Sequence, residues 1–347
     1  MTATLGATCF AGLGPLAQRA LERQGAQNVS GFRVRNHDYL SFRLERSEIR
    51  SVRSVHLLED VFLEISRTPS IAKSSDIAKL SRRLDRAAIL QSVALKNEAF
   101  PDKKRNRRGR PTYTCFVRQN RDHRVHRKRV SQEVVSLIGR LFPRWRVDDP
   151  ADLEFWVFWA DYAVLALRLS DRTLKYRGRR PPELPGALRP TIAAAMVELA
   201  DVQDGHAVLD PMCGTGTLLL ECTRRFPRAD LFGSDRSDEA VATAKGRLGG
   251  NATIRRCELD ELDHAPGTFH RVVTNLPWGD QTPIQGSVYA AGVSKLLDCI
   301  TDDGVAVLLT SRRELLEPTL RRLRARWKTT RVLVQGTWAS IYVVTKR

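Results

Sequence analysis

A chain of 347 residues with 42% hydrophobic positions has room for two or three packed domains and is too apolar to be disordered. Its six cysteines (Cys9, Cys115, Cys213, Cys222, Cys257, Cys299) form no C-x-x-C pair, which argues against a zinc site or a disulfide framework and for a reducing, cytoplasmic setting. The formal charge of +18 is uneven: residues 1–180 hold 36 Lys and Arg against 19 Asp and Glu, whereas residues 181–347 hold 21 against 20. A basic half joined to a neutral half predicts that the first meets nucleic acid and the second does chemistry. For any single charge run the competing reading is a solvated surface. No basic leader precedes an apolar run and no stretch reaches the length of a membrane span, so neither a membrane nor a metal partner is expected.

In chain order, Thr4–Phe10 reads as a strand, Gly12–Gln24 as an amphipathic helix, and Val29–Val34 with Tyr39–Leu44 as paired strands. Ser47–Leu58 restarts a helical pattern. A second unit follows, with a strand at Asp60–Ile65, a helix at Ser75–Gln91 and a Lys/Arg-dense loop at Asn97–Pro111. It continues with a strand at Thr112–Arg118, a helix at Ser131–Phe142, and strands at Asp152–Phe158 and Tyr162–Leu169. Leu174–Gly186 has the proline, glycine and arginine content of a linker. After a helix at Thr191–Ala200, strands and helices alternate as in a parallel, doubly wound sheet. Its strands are expected at His206–Asp210, Asp230–Asp235, Ile254–Cys257, Arg271–Asn275 and Val305–Ser311, with closing strands at Arg331–Gln335 and Ser340–Thr345.

Three of these strand ends carry polar or glycine-rich residues, and ligands in open α/β sheets sit beyond the carboxyl ends of the strands. The first, Asp210-Pro211-Met-Cys213-Gly214-Thr215-Gly216-Thr217, is a strand, a tight turn and a helix start. Its glycines let the backbone approach a ligand, and the free N–H groups of the helix start face it. A dinucleotide fingerprint wants a third glycine where Leu219 stands. The carboxylate of Asp210 suits a ligand with an ammonium and a sulfonium better than a pyrophosphate. Asp235, followed by Arg236, ends the next strand, where it can accept from two ribose hydroxyls; its alternative is to cap the helix that begins near Ser237. Glu258, or Asp260 in its place, ends the third strand and can meet an adenine amino group. Together these residues describe an S-adenosylmethionine pocket.

The last strand end, Asn275-Leu276-Pro277-Trp278, resembles the [Asn/Asp]-Pro-Pro-[Tyr/Phe/Trp] motif of methyltransferases that act on exocyclic amines. The lone pair of such an amine is delocalised into the ring. The Asn275 side-chain carbonyl and a backbone carbonyl near Leu276–Pro277 would accept its two hydrogens and aim the lone pair, while Trp278 stacks on the base. No general base is required, so neither His270 nor Asp280 is given a catalytic role. The alternative is a strand ending in a turn with a packed tryptophan.

With these motifs in place, the chain resembles the THUMP-domain RNA guanine-N2 methyltransferases. The resemblance rests on the catalytic motifs, on Ala11-Gly-Leu-Gly-Pro-Leu-Ala17, on Arg50-Ser-Val-Arg-Ser-Val-His56 and on Leu188-Arg-Pro-Thr-Ile-Ala-Ala-Ala195. It implies an α/β fold class: a Rossmann-like, doubly wound methyltransferase domain at 188–347, after an α+β ferredoxin-like domain at 1–59, a THUMP domain at 60–170 and a linker at 171–187. It further implies a protein that grips the acceptor stem and 3′ end of tRNA and forms N2-methylguanosine, with position six of the stem the expected target; a monomer is expected. The natural phosphate contacts are Lys103, Lys104, Arg105, Arg107, Arg108 and Arg110, then Arg118, Arg121, Arg124, Arg127, Lys128 and Arg129. Leu276 departs from the motif's first proline, and His270 stands where aspartate is common in the family. Two alternatives stay open: an rRNA guanine-N2 or nucleic-acid adenine-N6 methyltransferase, and a non-catalytic RNA-binding protein or chaperone.

Overall fold

A computed structural model describes all residues except 70–75, 78, 80–83, 102–109, 121–124, 172, 177–186, 279–285 and 347, and the side chains of 260 and 286–288. The chain divides into two units, Met1–Arg179 and Arg180–Arg347.

The first unit is built on one mixed sheet. Strands β1 (Thr2–Phe10), β2 (Gln27–Val34), β3 (His37–Glu45) and β4 (Asp60–Pro69) are joined by β5 (Thr112–Gln119), β6 (Arg146–Val147), β7 (Leu153–Trp159) and β8 (Tyr162–Arg168). Their order across the sheet is β2-β3-β1-β4-β8-β7-β5-β6. β4 pairs with β1 on one side and β8 on the other, so a single ladder runs through the segments on either side of residue 60. Helix α1 (Gly14–Arg23) buries Leu16, Ala17, Ala20 and Leu21, the spacing that its apolar periodicity predicts.

Ser47–Leu58, expected to be helical, is a 3-10 helix over Arg46–Ser54 that buries only Ile49 and Val52. Their three-residue spacing suits three residues per turn. The expected Ser75–Gln91 is not one helix: Ile77 and Lys79 are helical, and helix α2 (Arg86–Ala99) starts where the Asp85 carboxylate caps it by accepting from the Ala88 N–H at 2.7 Å. Much of the expected first half of that helix lies outside the described residues.

Alternation along β7 decides what each face of the sheet does. Leu153, Phe155, Val157 and Trp159 pack into the core beneath α2 and α3 (Arg127–Leu141), while Trp156 and Phe158 join an aromatic cluster with Tyr39 and Phe62 on the opposite face. Burying each such side chain contributes roughly 1.5–3 kcal/mol.

The second unit holds a seven-stranded sheet. Helix α4 (Pro190–Leu199) leads into β9 (Ala207–Asp210), α5 (Thr217–Arg225), β10 (Asp230–Asp235), α6 (Asp238–Leu248), β11 (Thr253–Arg256) and β12 (Phe269–Asn275). Helix α7 (Gly286–Cys299), β13 (Ile300–Thr310), α8 (Arg313–Arg322), β14 (Arg326–Val334) and β15 (Thr337–Thr345) complete it. The order is β11-β10-β9-β12-β13-β15-β14, parallel from β11 to β13 with β15 antiparallel. Succession runs outward from β9 to β11, then restarts on the other side of β9 at β12. The reversal between β9 and β12 is the switch point at which such sheets bind ligands. On α7, Tyr289, Val293, Leu296 and Leu297 are buried against one face of the sheet.

The last three strands begin three to five residues before their expected bounds. β13 begins at Ile300 rather than Val305, and β14 and β15 begin at Arg326 and Thr337 rather than Arg331 and Ser340. The added residues of β14 are largely exposed and polar, so no apolar alternation marks them. Gln335, assigned to a strand from sequence, instead forms the hairpin turn with Gly336, both at positive φ.

Candidate active site and nucleic-acid interface

Register fixes the geometry at the switch point. Gly233 of β10 and Asp210 of β9 are level, and Leu209 is level with Val272 of β12. Asp235 and Asn275 therefore each stand two residues past the level of Asp210, on opposite sides of it and roughly 10 Å apart by strand spacing. The glycine loop leaves from between them.

The Asp235 carboxylate clasps that loop: Oδ2 accepts from the Gly214 N–H at 2.9 Å and Oδ1 from the Ser237 N–H at 3.0 Å. The cap expected as its alternative role belongs to Ser237, whose hydroxyl accepts from the Ala240 N–H. A carboxylate offers about four acceptor positions, so two remain for a ligand. Gly214 and Gly216 both have positive φ, at 51° and 76°. A side chain on Gly216 would also come within 2.9 Å of Leu248, whereas nothing lies within 4 Å of Gly214 on that side. Gly216 is thus needed for packing on α6, and Gly214 leaves a face open to a ligand.

Asp210 is only 1% exposed. Burial pushes its carboxyl up to about 7, against hydrogen bonding that includes the Met212 N–H at 3.3 Å; the charge of Asp235 adds to the rise. Among the described residues no cation pairs with Asp210. A buried acid of this kind gains by meeting a cationic ligand.

Pro211 and Cys213 turn the loop, their backbones held to Ser234 by Ser234 Oγ–Pro211 O at 3.2 Å and Cys213 N–Ser234 O at 2.8 Å. Burial pushes the Cys213 thiol well up, so it stays protonated. Arg247, which sequence reasoning missed, donates from Nη1 to the Thr215 carbonyl at 2.5 Å, the Thr215 hydroxyl at 2.8 Å and the Thr217 hydroxyl at 3.4 Å. It stands 32 residues beyond Thr215, and no local pattern links the two. Arg236 and Glu258 are exposed beyond β10 and β11. Asp260 lies in the 3-10 helix Leu259–Glu261, and its side chain is outside the described set.

At the end of β12, Leu276 is buried and its N–H bonds to the Leu309 carbonyl at 2.9 Å. The Asn275 carbonyl Oδ1 accepts from the Trp278 indole N–H at 3.1 Å, a contact absent from the sequence-based expectation. One acceptor position on that oxygen remains. Arg312 donates to the Trp278 carbonyl at 3.4 Å, and the Thr310 hydroxyl accepts from the Arg312 N–H at 2.9 Å. Pro277 and Trp278 are half-buried. His270 sits at the opposite end of β12, where Nδ1 accepts from the Ala207 N–H and the ring stacks on His206, away from Asn275. Among the described residues no cluster of three metal-ligating side chains occurs, and no helix is long and apolar enough to cross a membrane.

In the first unit, a cleft of about 430 Å³ gathers part of the basic run. It is lined by Arg118, Arg127 and Lys128, which the charge pattern flagged, and by Arg35, Phe116 and Trp156, which it did not. Because β6 is only two residues long, β5 has an open edge beyond Tyr113 among the described residues, and the cleft lies along it. The Arg118 guanidinium sits 5.2 Å from the centroid of Trp156. The Trp156 indole donates to Glu154, which is also held by Arg168 at 3.0 Å. Arg35 is anchored through Nε to the Gln119 carbonyl at 2.8 Å.

Arg127, Lys128 and Arg129, read from sequence as preceding a helix that starts at Ser131, form the first turn of α3. Arg110 and Arg129 are exposed outside the cleft, while Lys103, Lys104, Arg105, Arg107, Arg108, Arg121 and Arg124 lie outside the described residues.

The strand order and the glycine loop at its reversal define a Rossmann-like methyltransferase fold. Residues 177–339 match the family model described as UPF0020: RMKL-like, methyltransferase domain. The human U6 snRNA (guanine-N(2))-methyltransferase THUMPD2 is 38% identical over 160 residues, 43% of this chain and 31% of that protein. The Thermus thermophilus tRNA (guanine(6)-N2)-methyltransferase is 33% identical over 125 residues, 34% of this chain and 36% of that protein. The chain thus spans about a third of the length of these curated relatives. TrmN from Thermus thermophilus shares the fold across 100% of both chains, with a TM-score of 0.77 at 20% identity. SMU.472 complexed with SAH does so across 100% of this chain and 98% of its own, with a TM-score of 0.70 at 15% identity.

Proposed function

We propose that this protein is an S-adenosylmethionine-dependent RNA methyltransferase that forms N2-methylguanosine, acting as a monomer in the cytoplasm. The observation that carries the reading is the convergence of three strand ends on the switch point: a buried acid with no cation beside it among the described residues, a glycine loop clasped by a second acid, and the Asn275–Trp278 turn. Asp210, Pro211, Cys213, Gly214, Thr215, Gly216 and Thr217 would hold the cofactor with Asp235, Arg236 and Asn275, and Glu258 or Asp260 would meet its adenine. The bound cofactor supplies an electrophilic methyl group on a sulfonium.

The protein's own part is to bind and orient the guanine. The Asn275 carbonyl accepts one amine N–H and a backbone carbonyl of the Leu276–Pro277 turn accepts the other, localising the lone pair. Trp278 stacks on the ring of a base that has left its helix. The unprotonated Asp210 would hold the cationic end of the cofactor.

We assign 1–59 to a ferredoxin-like domain, 60–170 to a THUMP domain, 171–187 to a linker and 188–347 to catalysis. The cleft along β5 is the assigned RNA grip, with Arg118, Arg127 and Lys128 on phosphates. Three cations in the first turn of α3 oppose the helix dipole, an arrangement that costs about 0.3–1 kcal/mol each unless an anion offsets it.

The proposed substrate is tRNA at guanine six of the acceptor stem, gripped near its 3′ end. A second reading, U6 snRNA, is favoured by the higher identity to the human relative. Incubating the chain with S-adenosylmethionine and either RNA, followed by digestion and nucleoside mass spectrometry, tests both readings. N2-methylguanosine in tRNA supports the first, in U6 snRNA the second, and in neither overturns both.

A further inference from the structure

Hairpin β14–β15 carries an aromatic and a strip of cations that neither the core nor the active site uses. Trp338 remains 39% exposed even with the Arg331 guanidinium 4.9 Å from its ring centroid. Arg326, Lys328 and Arg331 are all exposed on β14, the outermost strand of the sheet, and none of the three is ion-paired among the described residues. At strand rise they span roughly 17 Å. Cations on an edge strand commonly block unwanted strand pairing. That accounts for Arg326 and Lys328, but it gives no reason to leave a tryptophan open.

Register places this aromatic at the catalytic end of the sheet. Asn275 pairs with Leu309, Leu309 with Ile341 and Ile341 with Thr330, so one row runs from the catalytic turn to the edge strand. The next row links Thr310, Ser340 and Arg331, and Thr310 is the residue that anchors Arg312 against the Trp278 carbonyl. Three strand spacings put Thr330 roughly 14 Å from Asn275. A few stacked nucleotides cover that distance at about 3.4 Å each.

We propose that this hairpin is a second RNA contact, on the catalytic unit itself. Trp338 stacks on an exposed base of the strand flanking the target nucleotide, and Arg331, Lys328 and Arg326 hold its phosphates. The proposal rests on the RNA-methyltransferase reading, but its test does not require turnover.

The probe is fluorescently labelled, unfractionated tRNA bound to the full chain. Trp338→Leu should raise its Kd at least about fivefold, the lower end of what removing one stacking aromatic does. Trp338→Phe should recover most of that loss, and affinity for S-adenosylmethionine should stay within about twofold throughout, which a merely structural role would not produce. Arg331→Gln should lower the salt slope of binding by about one counterion. Ultraviolet cross-linking of the wild-type chain to the same tRNA should mark a peptide within residues 326–338.

An unchanged Kd in Trp338→Leu, or a cross-link map without that peptide, overturns the proposal. So does a wild-type dimer that Trp338→Leu dissociates while its tRNA affinity holds, since the edge would then serve a second copy. Hairpin-dependent binding without any N2-methylguanosine would instead overturn the catalytic reading and leave this one standing.

Discussion

Asn275 and Asp210 carry separate burdens, and each can be isolated. On the proposed reading Asn275 contributes a carbonyl to the substrate amine and borders the cofactor, so Asn275→Ala should lower kcat by two orders of magnitude or more, with a much smaller loss of cofactor affinity by calorimetry. Comparable kcat in both proteins would remove it from the chemistry.

Asp210 sets a pH dependence. Its folded pKa, about 7, lies above the ordinary 3.8, so the protein binds this proton more tightly when folded than when unfolded. Its contribution to the stability of the free protein is therefore present in full below pH 3.8 and is lost as pH rises through about 7. A cationic ligand needs the ionised form. Affinity for S-adenosylmethionine should rise up to about tenfold per pH unit as pH approaches 7, then level off, with proton release on binding. Calorimetry between pH 5.5 and 8.5 in two buffers of different ionisation enthalpy checks this. Asp210→Asn should bind weakly at every pH, without the slope.

At the level of elements, helix α3 offers a test in which stability and binding move in opposite directions. Arg127 and Lys128 sit at its positive end with no acid in the first turn. Replacing both with Gln should leave thermal stability unchanged or raise it by about 0.3–1 kcal/mol per residue. The same change should weaken RNA binding and reduce its salt dependence by about two counterions. Loss of stability together with unchanged RNA affinity would mean that these cations are structural.

The glycine turn behaves differently. Gly216→Ala meets both an unfavourable φ and the Leu248 side chain, so it should destabilise the second unit by about 1 kcal/mol or more, read by thermal melting.

Across the whole molecule, what the sequence revealed was whatever is written locally. β9, β10 and β12 are apolar runs ended by an acid or amide, and their switch-point arrangement follows from alternating strands and helices. The Asp210 loop and the Asn275 turn were recognisable because each motif is contiguous. Contacts made by folding were not: Arg247 over Thr215, and Arg35 and Trp156 in the basic cleft, link segments through space, while the Trp278 indole reaches Asn275, three residues away, through the conformation of the turn. The helical starts at Arg86 and Arg127 were misplaced because Asp85 and His126 cap them outside the apolar periodicity that marks the helix bodies. Net charge also concealed the hairpin strip, since the acids of the second unit cancel its cations in the sum.

A crystal structure of the chain soaked with S-adenosylhomocysteine tests whether the three strand ends form one pocket. The expected density has its ammonium by Asp210, its ribose hydroxyls on Asp235 and its sulfur facing the Asn275–Trp278 turn. Density for the nucleoside anywhere away from the β9–β12 switch point, in a protein that still binds the compound tightly, would contradict the assignment.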